Sequence, residues 1–146
     1  MKNLFGGLVL AGAFLASCND SSKTSENGDR ADTTCYQAVN ENDSIQLKLI
    51  VKGTAVTGSL TYHIMEKDKN TGTLLGEMKN DTIFASYHFL SEGTQSVREV
   101  AFLKKGNNLV QGFGPVEDKA GIVIFENRSV LVFDEVNSLV KVNCVP

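Results

Sequence analysis

The chain has 146 residues, 14 Lys and Arg against 17 Asp and Glu, a net charge of −3 and no Trp. That length holds one domain. The charge balance leaves no basic stripe for nucleic acid and no polybasic patch for a membrane surface, and the supply of Phe, Ile, Leu and Val excludes disorder throughout.

Lys2 is the sole charge among the first seventeen residues, and Leu4 to Phe14 is apolar with three Gly. This run is shorter than the roughly 20 residues that span a bilayer core and suits the apolar region of a secretory signal. Leu15-Ala16-Ser17-Cys18 follows: an apolar branched residue, two small residues and a Cys. It resembles the lipobox of bacterial lipoproteins. The resemblance implies that residues 1–17 are a cleaved signal peptide and that Cys18 carries a diacylglycerol, with a further acyl chain such as palmitate on the new amino group. The partner would be the lipid bilayer, and the address extracytoplasmic, at the cell envelope and in the outer membrane. Two or three acyl chains hold firmly where one does not. The alternative is an ordinary signal peptide with a chance Cys after it.

Asn19 to Thr34 has no aromatic and no branched aliphatic residue, so it cannot repay the entropy of ordering. Residues 18–34 read as a lipidated tether with a reach of roughly 20–25 Å, about 55 Å at full extension. The folded domain is expected at 35–146. Cys35 and Cys144 bracket it. In an oxidising compartment two such Cys favour a disulfide. The rival is a pair of reduced, buried Cys, and no Cys-x-x-Cys suggests zinc.

Past Cys35 the pattern alternates. Ile45, Leu47, Leu49 and Val51 share one face, then Gly53-Thr54 turns. Val56, Gly58, Leu60, Tyr62 and Ile64 form the next inward face, and Glu66–Gly72 is a polar loop. Thr73–Lys79 is a strand ended by Asn80-Asp81; Thr82–Ser91 follows with Ile83, Ala85, Tyr87 and Phe89 on one side. Glu92–Gln95 turns the chain, Ser96–Lys104 returns, and Lys105-Gly106-Asn107 turns again. Asn108–Phe113 ends at Gly114-Pro115. Ile122–Glu126 and Ser129–Phe133 read as a hairpin around Asn127-Arg128, and Leu139–Cys144 is a last strand.

The expected fold is all-β: an antiparallel meander of eight to ten short strands, closed as an up-and-down barrel because so many short edges must be paired. Gly53-Thr54…Gly58-Ser59-Leu60-Thr61-Tyr62, then Gly72-Thr73…Gly76-Glu77…Asp81-Thr82…Ser86-Tyr87, resembles the turn pattern of small lipocalin-like and avidin-like barrel lipoproteins over residues 45–114. The chain departs from both families in lacking Trp. It is also similar to secreted lipoproteins sharing the Ser-Glu-Gly…Arg-Glu-Val stretch, a likeness that carries no activity.

Arg98 alternates with Val100 and Phe102. On an inward face it is a barrel-interior charge that needs a carboxylate, from Glu92 or Glu126, or a ligand anion. On an outward face it joins Glu99 in a surface ladder, and Val97, Ala101 and Leu103 leave that choice open. Tyr62 and Tyr87 either line a cavity with Phe89, Phe102, Phe113 and Phe125 or pack the core. His63 and His88 then face solvent; the rival reading is a metal or acid–base pair. Asp68–Gly72 only faintly resembles a calcium loop. Asp32-Thr33-Thr34, Asp43-Ser44-Ile45 and Asp81-Thr82-Ile83 resemble Asp-Ser/Thr acceptor sites for O-glycans.

Gly-x-Ser-x-Gly, His-Glu-x-x-His and phosphate-loop motifs are missing, so neither an enzyme nor a cofactor or metal is expected. Two functions fit: a binding module for a small apolar or anionic ligand, and a tethered domain docking on an envelope enzyme, polysaccharide or outer-membrane protein.

Overall fold

Alternating side chains and two-residue turns together dictate the architecture. A computed structural model describes residues 30–145; Cys18, the signal peptide and most of the tether lie outside the described residues. Eleven strands form: β1 (Asp32–Asn40), β2 (Asp43–Lys52), β3 (Ala55–His63), β4 (Asn70–Lys79), β5 (Thr82–Ser91), β6 (Thr94–Lys105), β7 (Asn108–Phe113), β8 (Val116–Lys119), β9 (Ile122–Phe125), β10 (Val132–Phe133) and β11 (Leu139–Val142).

Strands β1 to β7 pair antiparallel in sequence order, and β11 lies between β7 and β1. The result is a closed eight-stranded antiparallel meander with β8, β9 and β10 outside it. At eight strands the interior is just wide enough for side chains to fill. The turns suit their residues: Gly53, Asn80 and Gly106 take positive φ, and Glu92-Gly93 does so at both positions, as tight hairpins require.

The inward rows on β2, β3 and β5 are those read from the alternation. Leu47, Leu49, Val56, Leu60, Ile83, Ala85 and Tyr87 are buried with Tyr36, Leu74, Val100, Phe102, Leu109 and Leu139 in one core. Strong coiling brings neighbouring backbones close at Gly58, where a Cβ would stand 2.0 Å from the Lys48 carbonyl oxygen. Only glycine allows that approach.

The Cys35–Cys144 disulfide forms, with the Cα atoms 5.2 Å apart. It ties the first strand to the residues just beyond the last, where closure needs it. The first strand begins at Asp32, inside the stretch read as tether, and β8 is an additional strand. The hairpin expected around Asn127-Arg128 does not form. There β9 pairs with β8 and, in parallel, with β6, while β10 pairs with β7. Arg128–Val130 is instead a 3-10 turn capped by the Asn127 side chain.

The seam that closes the barrel is short. Opposite β7, Phe133 pairs with Gly112 and Leu139 with Leu109. The chain therefore takes six steps where its partner takes three. The surplus bulges out as a 3-10 turn, Glu135–Asn137, capped by Asp134 and held by a Lys105–Glu135 ion pair. As a consequence β1 pairs with β11 only over Cys35–Gln37. Among the described residues, Ala38–Asn40 meet no strand on that side.

Candidate functional site at the open end of the barrel

The barrel's two ends differ. At the end holding the β2–β3, β4–β5 and β6–β7 turns, Val56, Ile83 and Phe102 are fully buried. At the other end lies a cavity of about 390 Å³, open to solvent, within the usual range for small-molecule sites.

Strand register builds its floor. Ala38 lies opposite Ile45, Ile45 opposite Tyr62, and Tyr62 opposite Asn70, a continuous row across β1 to β4. All four line the cavity. Tyr87 on β5 faces Arg98 on β6, and both contribute walls, as do Gln111 and Phe113 of β7. The bulge in the closing strand adds Asp134 and Asn137. The cavity thus sits at the imperfect seam.

The aromatic side chains are arranged in series. Tyr62 meets Tyr87 edge-on at 5.9 Å, and Tyr87 stacks on Phe89 at 4.6 Å. The Tyr87 hydroxyl donates to the Leu60 carbonyl at 3.0 Å, so its polar end is already used. Burial pushes its phenol pKa up to about 12 against the opposing pull of Arg98. Tyr62 differs. Its hydroxyl oxygen is buried and has no hydrogen-bond partner, and Asn70 Oδ1 is in the same condition. Gln111 lies near enough to act on the Tyr62 phenol but not in bonding geometry. Burial is the main reason that phenol is held far above its ordinary range.

Arg98 faces inward, as its register with Tyr87 requires, yet its side chain stays exposed at the mouth. It rests over the Phe89 ring at 5.8 Å and makes no salt bridge among the described residues. Glu92 does not supply one: it sits exposed at the β5–β6 turn with φ of 50° and does not line the cavity. Glu126 also lies elsewhere, its backbone N–H bonded to Pro115. The two carboxylates that do line the mouth each hold a backbone amide. Asp43 accepts from Met65 at 2.8 Å and Asp134 from Val136 at 2.9 Å.

Of the residues singled out by sequence, Arg98, Tyr62 and Tyr87 converge; Phe113 joins them, Phe102 is core, and Glu92 stands apart. His63 and His88 are exposed, and no group of three or more His, Cys, Asp or Glu among the described residues could hold a metal. Asn70 and Gln111 were not anticipated. Asn70 belongs to a stretch that reads as a polar loop, and only its pairing with Tyr62 turns it inward.

Glu99, next to Arg98 in sequence, points outward into a separate cluster. It accepts from the Phe125 backbone at 2.9 Å and pairs with Arg128 at 2.6 Å, while Arg128 lies over the Phe84 ring at 4.7 Å. This fastens the β8–β9 layer to the barrel. No family model, curated protein or solved structure matches the chain. The fold and the site define it as a small disulfide-closed β-barrel with an open-ended cavity.

Proposed function

We propose that this chain is an envelope lipoprotein whose barrel binds a small molecule at its open end. One observation carries the reading: the buried polar side-chain atoms without partners, Tyr62 Oη and Asn70 Oδ1, both belong to residues lining the same cavity. An unsatisfied buried polar group costs about 1–3 kcal/mol. A ligand that hydrogen-bonds to both would remove that cost on binding, and Arg98 adds at the mouth a cation that makes no salt bridge among the described residues.

The anchor in this reading is Cys18, on the strength of Leu15-Ala16-Ser17-Cys18. Strand β1 starts beside Val51 at the filled end and finishes beside Asp43, a mouth residue. The tether therefore enters opposite the mouth, which would hold the cavity toward the aqueous compartment of the cell envelope. A second reading, docking on an envelope partner, draws on exposed apolar side chains around the seam: Phe113, Val132 and Val136 are 53%, 68% and 87% exposed.

Native mass spectrometry of the full chain, gently extracted from membranes, tests the binding reading. A small-molecule adduct is expected, and it should be lost on Asn70→Leu and weakened on Arg98→Ala. An adduct indifferent to both substitutions refutes the site, and no adduct in the unaltered chain refutes the reading. Replacing Cys18→Ser should release the protein from membranes and abolish palmitate labelling; unchanged partitioning would dismiss the anchor.

A further inference from the structure

The walls and floor of the cavity differ in what they can recognise, and the difference specifies a ligand class. At the floor, the Tyr62 hydroxyl can both donate and accept, and so can a carboxamide such as that of Asn70. Their complement is a neutral group with the same double capacity, a hydroxyl or primary amide. A charge there would be desolvated, with no salt-bridge partner at Tyr62 or Asn70 among the described residues.

The depth is limited. Beneath the floor the Tyr87 hydroxyl is bonded to Leu60, and Leu60 and Phe102 are fully buried. A long acyl chain has nowhere to descend. The walls are aromatic, with Tyr62 edge-on to Tyr87, and suit a flat body of one ring.

At the rim, Arg98 has an aromatic face beneath it and no carboxylate partner among the described residues. Lys67 is a second cation on the lining. Asp43 and Asp134 are each engaged with a backbone amide. Two cations and two carboxylates thus balance on the lining, and the place for an anion is local, beside the Arg98 guanidinium, which makes no salt bridge among the described residues.

We propose that the ligand is a single-ring monocarboxylate whose neutral polar end reaches Tyr62 and Asn70 and whose carboxylate meets Arg98 at the mouth. This rests on the cavity reading above. Three probes share one ring and one hydroxyl and differ in charge: 4-hydroxyphenylacetate, 4-hydroxyphenylacetamide and tyramine. Titrated into the full chain and followed by NMR shifts, the anion should bind about fivefold more tightly than the amide, the limit for a partly exposed ion pair, and tyramine most weakly. Arg98→Gln should erase the difference between the first two. Tyr62→Phe should weaken all three by about fivefold.

Equal binding of anion and amide, or preference for tyramine, overturns the carboxylate assignment while leaving a ligand cavity in place. A failure of all three to bind overturns the ligand class, and the adduct experiment then decides whether the cavity reading falls with it.

Discussion

Replacing Cys35→Ser and Cys144→Ser together should remove a large part of the domain's stability. The bond closes a loop with a sequence separation of 109, for which chain entropy alone gives about 4.8 kcal/mol. The join that it guards is thin. Strand β1 pairs with β11 at three positions, Cys35, Tyr36 and Gln37, but with β2 from Asp32 through Asn40. Little backbone pairing is left to hold the barrel shut once the covalent link is gone. Domains of this size carry about 5–15 kcal/mol in total, so a loss of about 3–5 kcal/mol would leave the variant near unfolding. Urea denaturation followed by far-UV circular dichroism measures the loss, and native-state hydrogen exchange should show β11 and the start of β1 opening first. A loss below about 1 kcal/mol, or exchange that begins elsewhere, would refute the claim that the seam depends on the disulfide.

Three further outcomes are expected. Glu99→Ala should cost about 2 kcal/mol, because it strips a charge-assisted acceptor from the Phe125 amide and from Arg128; hydrogen exchange should localise the effect to β8 and β9, and a uniform change would count against it. Tyr62 and Tyr87 have raised phenol pKa values, by burial first. The unfolded chain thus releases their protons first as pH rises, so stability should hold below about pH 10 and decline above it; Tyr87→Phe should flatten that decline in a pH series of urea melts, and an unchanged slope would contradict the assignment. Gly58→Ala should destabilise by about 1–3 kcal/mol, since its Cβ would collide with the Lys48 carbonyl; thermal melts showing no change would mean that β2 and β3 can separate locally.

The barrel was legible where one face is buried and the other wet. Leu47-Lys48-Leu49 and Ala85-Ser86-Tyr87-His88 carry period-two patterning strong enough to fix which side faces the core. Strand β1 was hidden at its start because Asp32-Thr33-Thr34 has the composition of a tether; its order comes from pairing with Leu49–Val51. Val116–Lys119 has one apolar residue and acquires strand form from β9. The misplaced hairpin at Asn127-Arg128 has the same origin: local turn residues suggest a local partner, but Val123 pairs with Arg98. The site was half legible. Parity with Val100 and Phe102 offered Arg98 an inward face, whereas Asn70 and Gln111 become cavity residues only through register with the preceding strand, Asn70 with Tyr62 and Gln111 with Phe102.

The surplus residues between Phe133 and Leu139 separate two properties that an unbroken barrel would couple. Most of the wall and core is set by the other strands, while the width of the aperture beside β1 follows from how much chain is looped out before Leu139, itself a core residue. Lengthening or shortening this one loop while Leu139 keeps its register with Leu109 would re-gauge the entrance and leave the core in place. A protein built in this way can change what it admits while keeping the scaffold that makes it stable.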